Sequence, residues 1–132
     1  MSTWTEKQLK SIGGADELRI SSRRADGSLR PYVTIWVARS GDDIYVRSAH
    51  GVDNPWFRRA TASGSGRISA GGVETDVTYV RPAERVHPAI DTALHAKYDR
   101  YGRGPVGAIT GRSAWPGTLK VVPAAPTTSA AE

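Results

Sequence analysis

The sequence contains no cysteine. That excludes a disulfide scaffold, a thiolate nucleophile, an iron–sulfur cluster and a thiolate zinc site. No apolar run approaches a membrane span, and the opening MSTWTEKQLK lacks the apolar stretch of a signal peptide. The expectation is a soluble cytoplasmic domain. Lysine is scarce: of 18 cations, 14 are Arg and 4 are Lys, against 13 acidic residues. No block of five like charges occurs, so a nucleic-acid tail is not indicated. There is no internal repeat, no GxSxG elbow and no credible catalytic triad, which leaves covalent catalysis by side chains little support. If the chain is an enzyme, a cofactor supplies the hard chemistry.

What is present is one domain's worth of short, turn-punctuated elements in 132 residues. A helix capped by Thr3, with Glu6 completing a capping box, carries Leu9 and Ile12 on one face and stops at Gly13-Gly14. Leu18–Ser21 alternates as a half-buried strand, and Asp26-Gly27 signals a hairpin into Tyr32–Ala38. That run, YVTIWVA, reads as a central strand. With Asp43–Ser48 it completes a three-stranded meander. Pro55–Ala62 reads as helical turns opened by proline. Arg67–Ala70 and Val73–Arg81 form a second hairpin about Gly71-Gly72, with Val73, Thr75, Val77 and Tyr79 on one face. The longest helix, Pro88–Tyr101, presents Ile90, Leu94, Tyr98 and Tyr101 to a core, and Gly117–Val122 is the last strand. Six strands with flanking helices predict a mainly β, six-stranded barrel over residues 1–122, followed by a disordered tail at 123–132.

The chemistry-bearing residues cluster after the third strand. Arg47 and Ser48 end it, His50 follows, and Arg58 and Arg59 lie on the next helical turn, an arrangement suited to a phosphate. The plainer reading makes Arg58 and Arg59 a solvated face and pairs Arg47 with a nearby aspartate. Trp36 reads as core, whereas Tyr32 and Trp56 lie near element ends, where a planar ligand could stack. Trp115 either stacks on a flat ligand or a dimer partner, or caps the barrel's open end. His87, Asp91 and His95 recur at steps of four, but the outer pair cannot reach one ion, so no metal site is expected. Lys97 and Tyr98 are candidate proton donors, although the Tyr98 ring also suits packing against the barrel. Gly102–Gly107 satisfies GxGxxG, yet it follows a helix and contains a proline, so it is set aside as a dinucleotide site.

The strand IWVARSGDDIYVRS, followed by HG and NPWFRRATASGSGRISAGGVETDVTYV, resembles the split-barrel flavin-binding fold. Ser48, Gly51, Pro55 and Trp56 fall where the deazaflavin-dependent nitroreductases carry Ser-x-x-Gly and Pro-x-Trp. The early tryptophan helix, TIWV, YVRS, Lys97-Tyr98 and the terminal TLK are more similar to a small bacterial family, domain of unknown function 2255, over residues 4 to 122. The resemblance implies a six-stranded split barrel, a homodimer, and a flavin or deazaflavin held by its phosphate at the third strand's end. Carried over, Arg47, Ser48 and Arg58 or Arg59 would touch phosphate, and Thr34 and Trp36 would lie along the ring. Where the nitroreductases carry an asparagine after the Trp-aromatic pair, this chain has Arg58-Arg59-Ala60.

The expected function is therefore an FMN- or deazaflavin-dependent oxidoreductase of a small organic substrate. Thr34, Trp36, Arg47, Ser48, Trp56, Arg58 and Arg59 would bind the cofactor, with His50 or Tyr98 as proton source. The alternative keeps the barrel cavity for a cofactor-free binding protein, cyclase or isomerase. A nucleic-acid-binding barrel, suggested by the net charge of +5 and the strand aromatics, is the least favoured reading.

Overall fold

The computed structural model describes residues 3–49 and 51–124. Helix α1 (Glu6–Gly13) starts two residues later than expected. Thr5, not Thr3, is its cap: Thr5 Oγ1 accepts from Gln8 N at 3.1 Å, and Gln8 Oε1 accepts from Thr5 N at 2.9 Å. This pair satisfies two end groups of the chain reciprocally, so it sets the start. Leu9 and Ile12 are buried as the periodicity predicts.

Seven antiparallel strands follow: β1 (Leu18–Ser22), β2 (Val33–Ile35), β3 (Ala38–Ser40), β4 (Asp43–Arg47), β5 (Ser65–Ala70), β6 (Val73–Val80) and β7 (Thr118–Pro123). Their order is β2-β1-β5-β6-β7-β4-β3. The expected central strand 32–38 is therefore two edge strands at opposite ends of the sheet. Only Trp36 and Val37 join them. Three backbone steps, from Ile35 to Ala38, reach at most about 11 Å, whereas flat packing would separate the edges by about 29 Å. The sheet has to curl round on itself, and this short link forces the half-barrel. It also replaces the expected meander. β1 pairs with β2 and β5, while β3 pairs with β4, and β4 with β7.

Alternation along the strands feeds two apolar clusters. Ile44 and Val46 point into the barrel with Leu18, Ile20, Ile68 and Val77. Tyr45 faces outward, onto Ile90, Leu94 and Tyr98 of α3 (His87–Tyr98). Helix α2 (Pro55–Ser63), opened by Pro55, adds Trp56, Phe57 and Ala60 to the interior cluster. A 3-10 turn at Asp99–Tyr101 and the short helix α4 (Arg103–Gly107) follow α3. Tyr101 is 46% exposed rather than core. The GxGxxG segment thus has a helix before it and no strand, as its exclusion from the dinucleotide fingerprint requires. Pro123 still belongs to β7, paired with Val77, and Ala124 N bonds Asp76 O at 3.0 Å. The rest of the expected disordered tail lies outside the described residues.

Candidate functional site

A cleft of about 620 Å³ opens between the edge strand β2 and the helices beside it. Val33, Thr34, Ile35 and Trp36 form one wall, and Asn54 and Trp56 at the start of α2 form another. Gly104, Pro105, Ala108 and Ile109 close the third side, over Arg47 and Ala49. Two tryptophans and a mostly apolar lining suit a planar heteroaromatic ligand, and the volume falls within the usual range for small-molecule sites. Trp36 is half-buried because its other face lies flat on Tyr98, with ring centroids 4.1 Å apart and planes within 4°. That stack fixes its orientation at the cleft wall. Its expected place in the core belongs to Val37, which is fully buried.

Arg47 sits beneath the cleft, 4% exposed, at the end of β4. Its Nε donates to Thr118 Oγ1 at 2.8 Å. Nη1 donates to the Asp91 carboxylate and to Ile109 O, the latter at 2.9 Å. Nη2 meets His87 Nδ1 at 3.2 Å and His87 O at 3.4 Å. A guanidinium has five N–H donors, and all five are turned to protein acceptors. None faces a phosphate, so the plainer expectation of an aspartate partner describes Arg47. Ser48 is fully buried, and its hydroxyl donates to Gly51 O at 2.6 Å.

Asp91 and His87 complete this hub. Burial disfavours the Asp91 carboxylate, but hydrogen bonds from Arg47 and from Trp115 Nε1 at 3.2 Å outweigh it and hold its pKa below the ordinary value. Burial, reinforced by the Arg47 charge, pulls the His87 pKa down. Because arginine cannot accept, neutral His87 presents its bare Nδ1 to Arg47 and keeps its proton on Nε2. Trp115 stacks on His87 with ring centroids 4.9 Å apart and covers one side of the hub. Of the helical metal stripe, Asp91 is committed to Arg47, and His95 pairs with Asp99 at 2.8 Å. No group of three or more metal-ligating side chains occurs among the described residues.

Tyr98 is placed away from the cleft. It is fully buried, its hydroxyl donates to Asp16 O at 2.7 Å and accepts from Val37 N at 3.1 Å. Burial pushes its pKa up to about 12. Lys97 Nζ bridges Gly13 O at 2.9 Å and Val37 O at 3.0 Å, and burial lowers its pKa to about 8. Both side chains pin the β2–β3 link. His50 lies outside the described residues.

Residues 8–121 match the family model described as "Uncharacterized protein conserved in bacteria (DUF2255)". The chain belongs to this family. No curated protein matches it. Among solved structures, it is similar to a protein described as a domain-swapped dimer, at 14% identity and TM-score 0.59, covering 81% of this chain and 79% of that one. It is similar to a Listeria innocua protein provisionally named pyridoxamine 5'-phosphate oxidase, at 12% identity and TM-score 0.57, with 90% of each chain covered. An F420 reductase aligns at 16% identity and TM-score 0.51, over 92% of this chain and 97% of that one. These likenesses show the split-barrel fold.

In this DUF2255 barrel the expected residues divide three ways. Thr34, Trp36, Arg47 and Trp56 line the cleft. Ser48 and Tyr98 are buried behind it. Arg58 is exposed on α2 outside it, and Arg59 lines a different pocket with Arg23, Arg24 and Arg30. Asn54 and the Gly104–Pro105 wall were missed. The only signal for that wall was the glycine-rich run itself, whose bare backbone lets a ligand approach closely.

Proposed function

We propose that this chain is a flavin- or deazaflavin-dependent oxidoreductase acting on a small organic substrate, its ring held in the cleft between Trp36 and Trp56. The observation that carries this reading is the cleft itself, about 620 Å³ with a tryptophan on each of two walls, in a split barrel. The likeness to an F420 reductase and to a protein named as a pyridoxamine 5'-phosphate oxidase supports it. The ring end of such a cofactor fits the residues present: Trp36 and Trp56 for its apolar faces, and Thr34 and Asn54 for its polar edges. A phosphate end does not fit Arg47, whose donors are engaged within the fold. When bound, the cofactor supplies the hydride chemistry. The chain's own residues bind and orient the ring, and the α4 wall keeps water from one side. A homodimer is part of the proposal, supported by the neighbour described as a domain-swapped dimer.

The internal use of Arg47 also favours a second reading, a cofactor-free binding protein, cyclase or isomerase with the same cleft. Titration of the purified chain with FMN and then with a deazaflavin, read by tryptophan quenching and ligand absorbance, separates the two. Saturable quenching at micromolar ligand supports the oxidoreductase. No response to either leaves the cofactor-free reading.

A further inference from the structure

We infer that the pocket between the β1–β2 loop and the end of α2 is a binding site for a small, multiply charged oxyanion such as a phosphate ester or a polycarboxylate. This goes beyond the reading of the cleft and stands without it. The pocket has a volume of about 470 Å³ and is lined by Arg23, Arg24, Arg30 and Arg59, with Ser63 and Ser65 beside them. No acidic residue lines it. Of the four guanidiniums, only Arg23 has a carboxylate partner among the described residues. That partner, Asp76, lies 3.1 Å from Arg23 and is shared with Arg67 at 2.7 Å.

The decisive atom is Nε of Arg30. It is the one buried side-chain nitrogen or oxygen among the described residues that has no hydrogen-bond partner. Buried donors in folded proteins are almost always satisfied, and an exception calls for an acceptor, a water or an anion oxygen, that the protein itself does not supply. Like charges gathered in one concavity repel unless an anion sits among them, and the forked donors of arginine match carboxylate and phosphate oxygens.

The loop is built to hold this arrangement. Arg24 N bonds Ser28 O at 2.8 Å, and Gly27 N bonds Arg24 O at 2.9 Å. Asp26 Oδ1 accepts from Ser28 N at 2.9 Å. Arg30 is anchored through its backbone, its N to Ser22 O at 3.0 Å and its O to the Ser21 hydroxyl at 2.5 Å. These bonds leave the guanidinium of Arg30 free while fixing where it starts.

A narrow gap connects the pocket to the cleft. It is lined by Arg30 and Arg59, which also line the pocket, and by Val33 and Trp56, which also line the cleft. The gap holds only about 20 Å³, so the two sites are neighbours that share walls.

The test is calorimetric titration of the full chain with inorganic pyrophosphate and, separately, with citrate at low ionic strength. Saturable one-site binding of either anion is expected, at least tenfold weaker in Arg30→Gln and in Arg24→Gln. Arg58→Gln, on the same helix as Arg59 but outside the pocket, binds as the parent does. Arg24 is exposed, so its variant folds even if Arg30→Gln does not. A preference for pyrophosphate or for citrate identifies which oxyanion the site takes. Binding of neither anion, or equal losses in the Arg58 variant, overturns the inference. FMN and riboflavin, which differ by one phosphate, separate the two sites. If pyrophosphate binds and neither flavin does, the anion site stands and the reading of the cleft falls. If FMN binds more tightly than riboflavin and Arg30→Gln abolishes the difference, one ligand occupies both.

Discussion

The guanidinium of Arg47 lies against Nδ1 of His87 at 3.2 Å, and this contact sets the tautomer of the histidine within the hub. A permanent cation facing a ring nitrogen demands that the nitrogen be bare. His87 is therefore neutral, with Trp115 stacked on its face and Asp91 supplying the one negative charge. The hub ties β4 to α3 and to the 3-10 turn Arg112–Gly117 before β7, and so supports the floor of the cleft from below.

A pH dependence of stability follows from the burial of His87 beside Arg47. The folded pKa of His87 lies below its unfolded value of 6.5, so the unfolded chain binds the proton more readily. Stability is full above the unfolded value and falls as pH drops through it toward the folded pKa. Asp91, whose pKa is lowered from 3.8, adds a second loss at more acidic pH. Thermal melts at pH 7.5 and 5.5 should show a lower Tm at the acidic value, with the difference reduced in His87→Gln. An unchanged difference in that variant would place the titrating group elsewhere.

Removing Arg47 should injure the fold rather than a ligand contact. Arg47→Met leaves the Asp91 carboxylate, which is 21% exposed, under the cleft without its cation, and because that carboxylate keeps some solvent the cost falls at the lower end of the buried-pair range, about 3 kcal/mol. Urea denaturation should report a loss of that order. Ligand binding that falls only in proportion to the folded fraction would agree. A stable Arg47→Met chain with abolished ligand binding would return Arg47 to the site.

How much of this was readable depends on where the information resides. The turn at Gly71-Gly72, the inward face of Val73, Thr75, Val77 and Tyr79, and the helix from Pro55 are local patterns, and each is where it was expected. The split of YVTIWVA was not legible, because β-branched residues suit an edge strand as well as a central one. What breaks the run is Tyr98, which comes from a helix and lies 61 residues after Val37, stacking on Trp36 and bonding Val37. The arginine cluster was equally hidden: Arg59 joins Arg23, Arg24 and Arg30 only because α2 packs across β1. Arg47 was found, but its partner could not be chosen from sequence, since Asp91 and a ligand phosphate present the same chemistry to it.

The β1–β5 seam tolerates no side chain at Gly66. A Cβ there would lie 1.9 Å from Ser21 O and 2.8 Å from the Tyr79 hydroxyl, which itself donates to Ser21 O at 2.5 Å. The obstruction on one side is backbone held in a strand ladder, so it cannot move aside cheaply. Gly66→Ala should destabilise by about 2 kcal/mol or more through strand displacement. Tyr79→Phe, which removes only the hydroxyl's hydrogen bond, should cost about 1 kcal/mol. Chemical denaturation of the two variants should rank them in that order, and a Gly66→Ala chain as stable as the parent would contradict this strand pairing.

Trp36 offers the sharpest test of the cleft, because one ring serves both the fold and the wall. Its inner face rests on Tyr98 at 4.1 Å, and its outer side contributes to the cleft. Trp36→Phe keeps an aromatic ring on Tyr98 and should leave most of the stability, since such a stack is worth about 0.5–1.5 kcal/mol beyond its buried area. Trp36→Ala removes both the stack and the wall. If a planar cofactor occupies the cleft, its affinity should fall modestly in Trp36→Phe and about tenfold or more in Trp36→Ala. Tryptophan quenching is unsuited to these variants, so FMN and deazaflavin binding should be followed by absorbance or equilibrium dialysis. Thermal melts on the same samples supply the folded fraction. Affinity that is unchanged in folded Trp36→Ala would show that the ring binds elsewhere, and with it the oxidoreductase reading would lose the observation on which it rests.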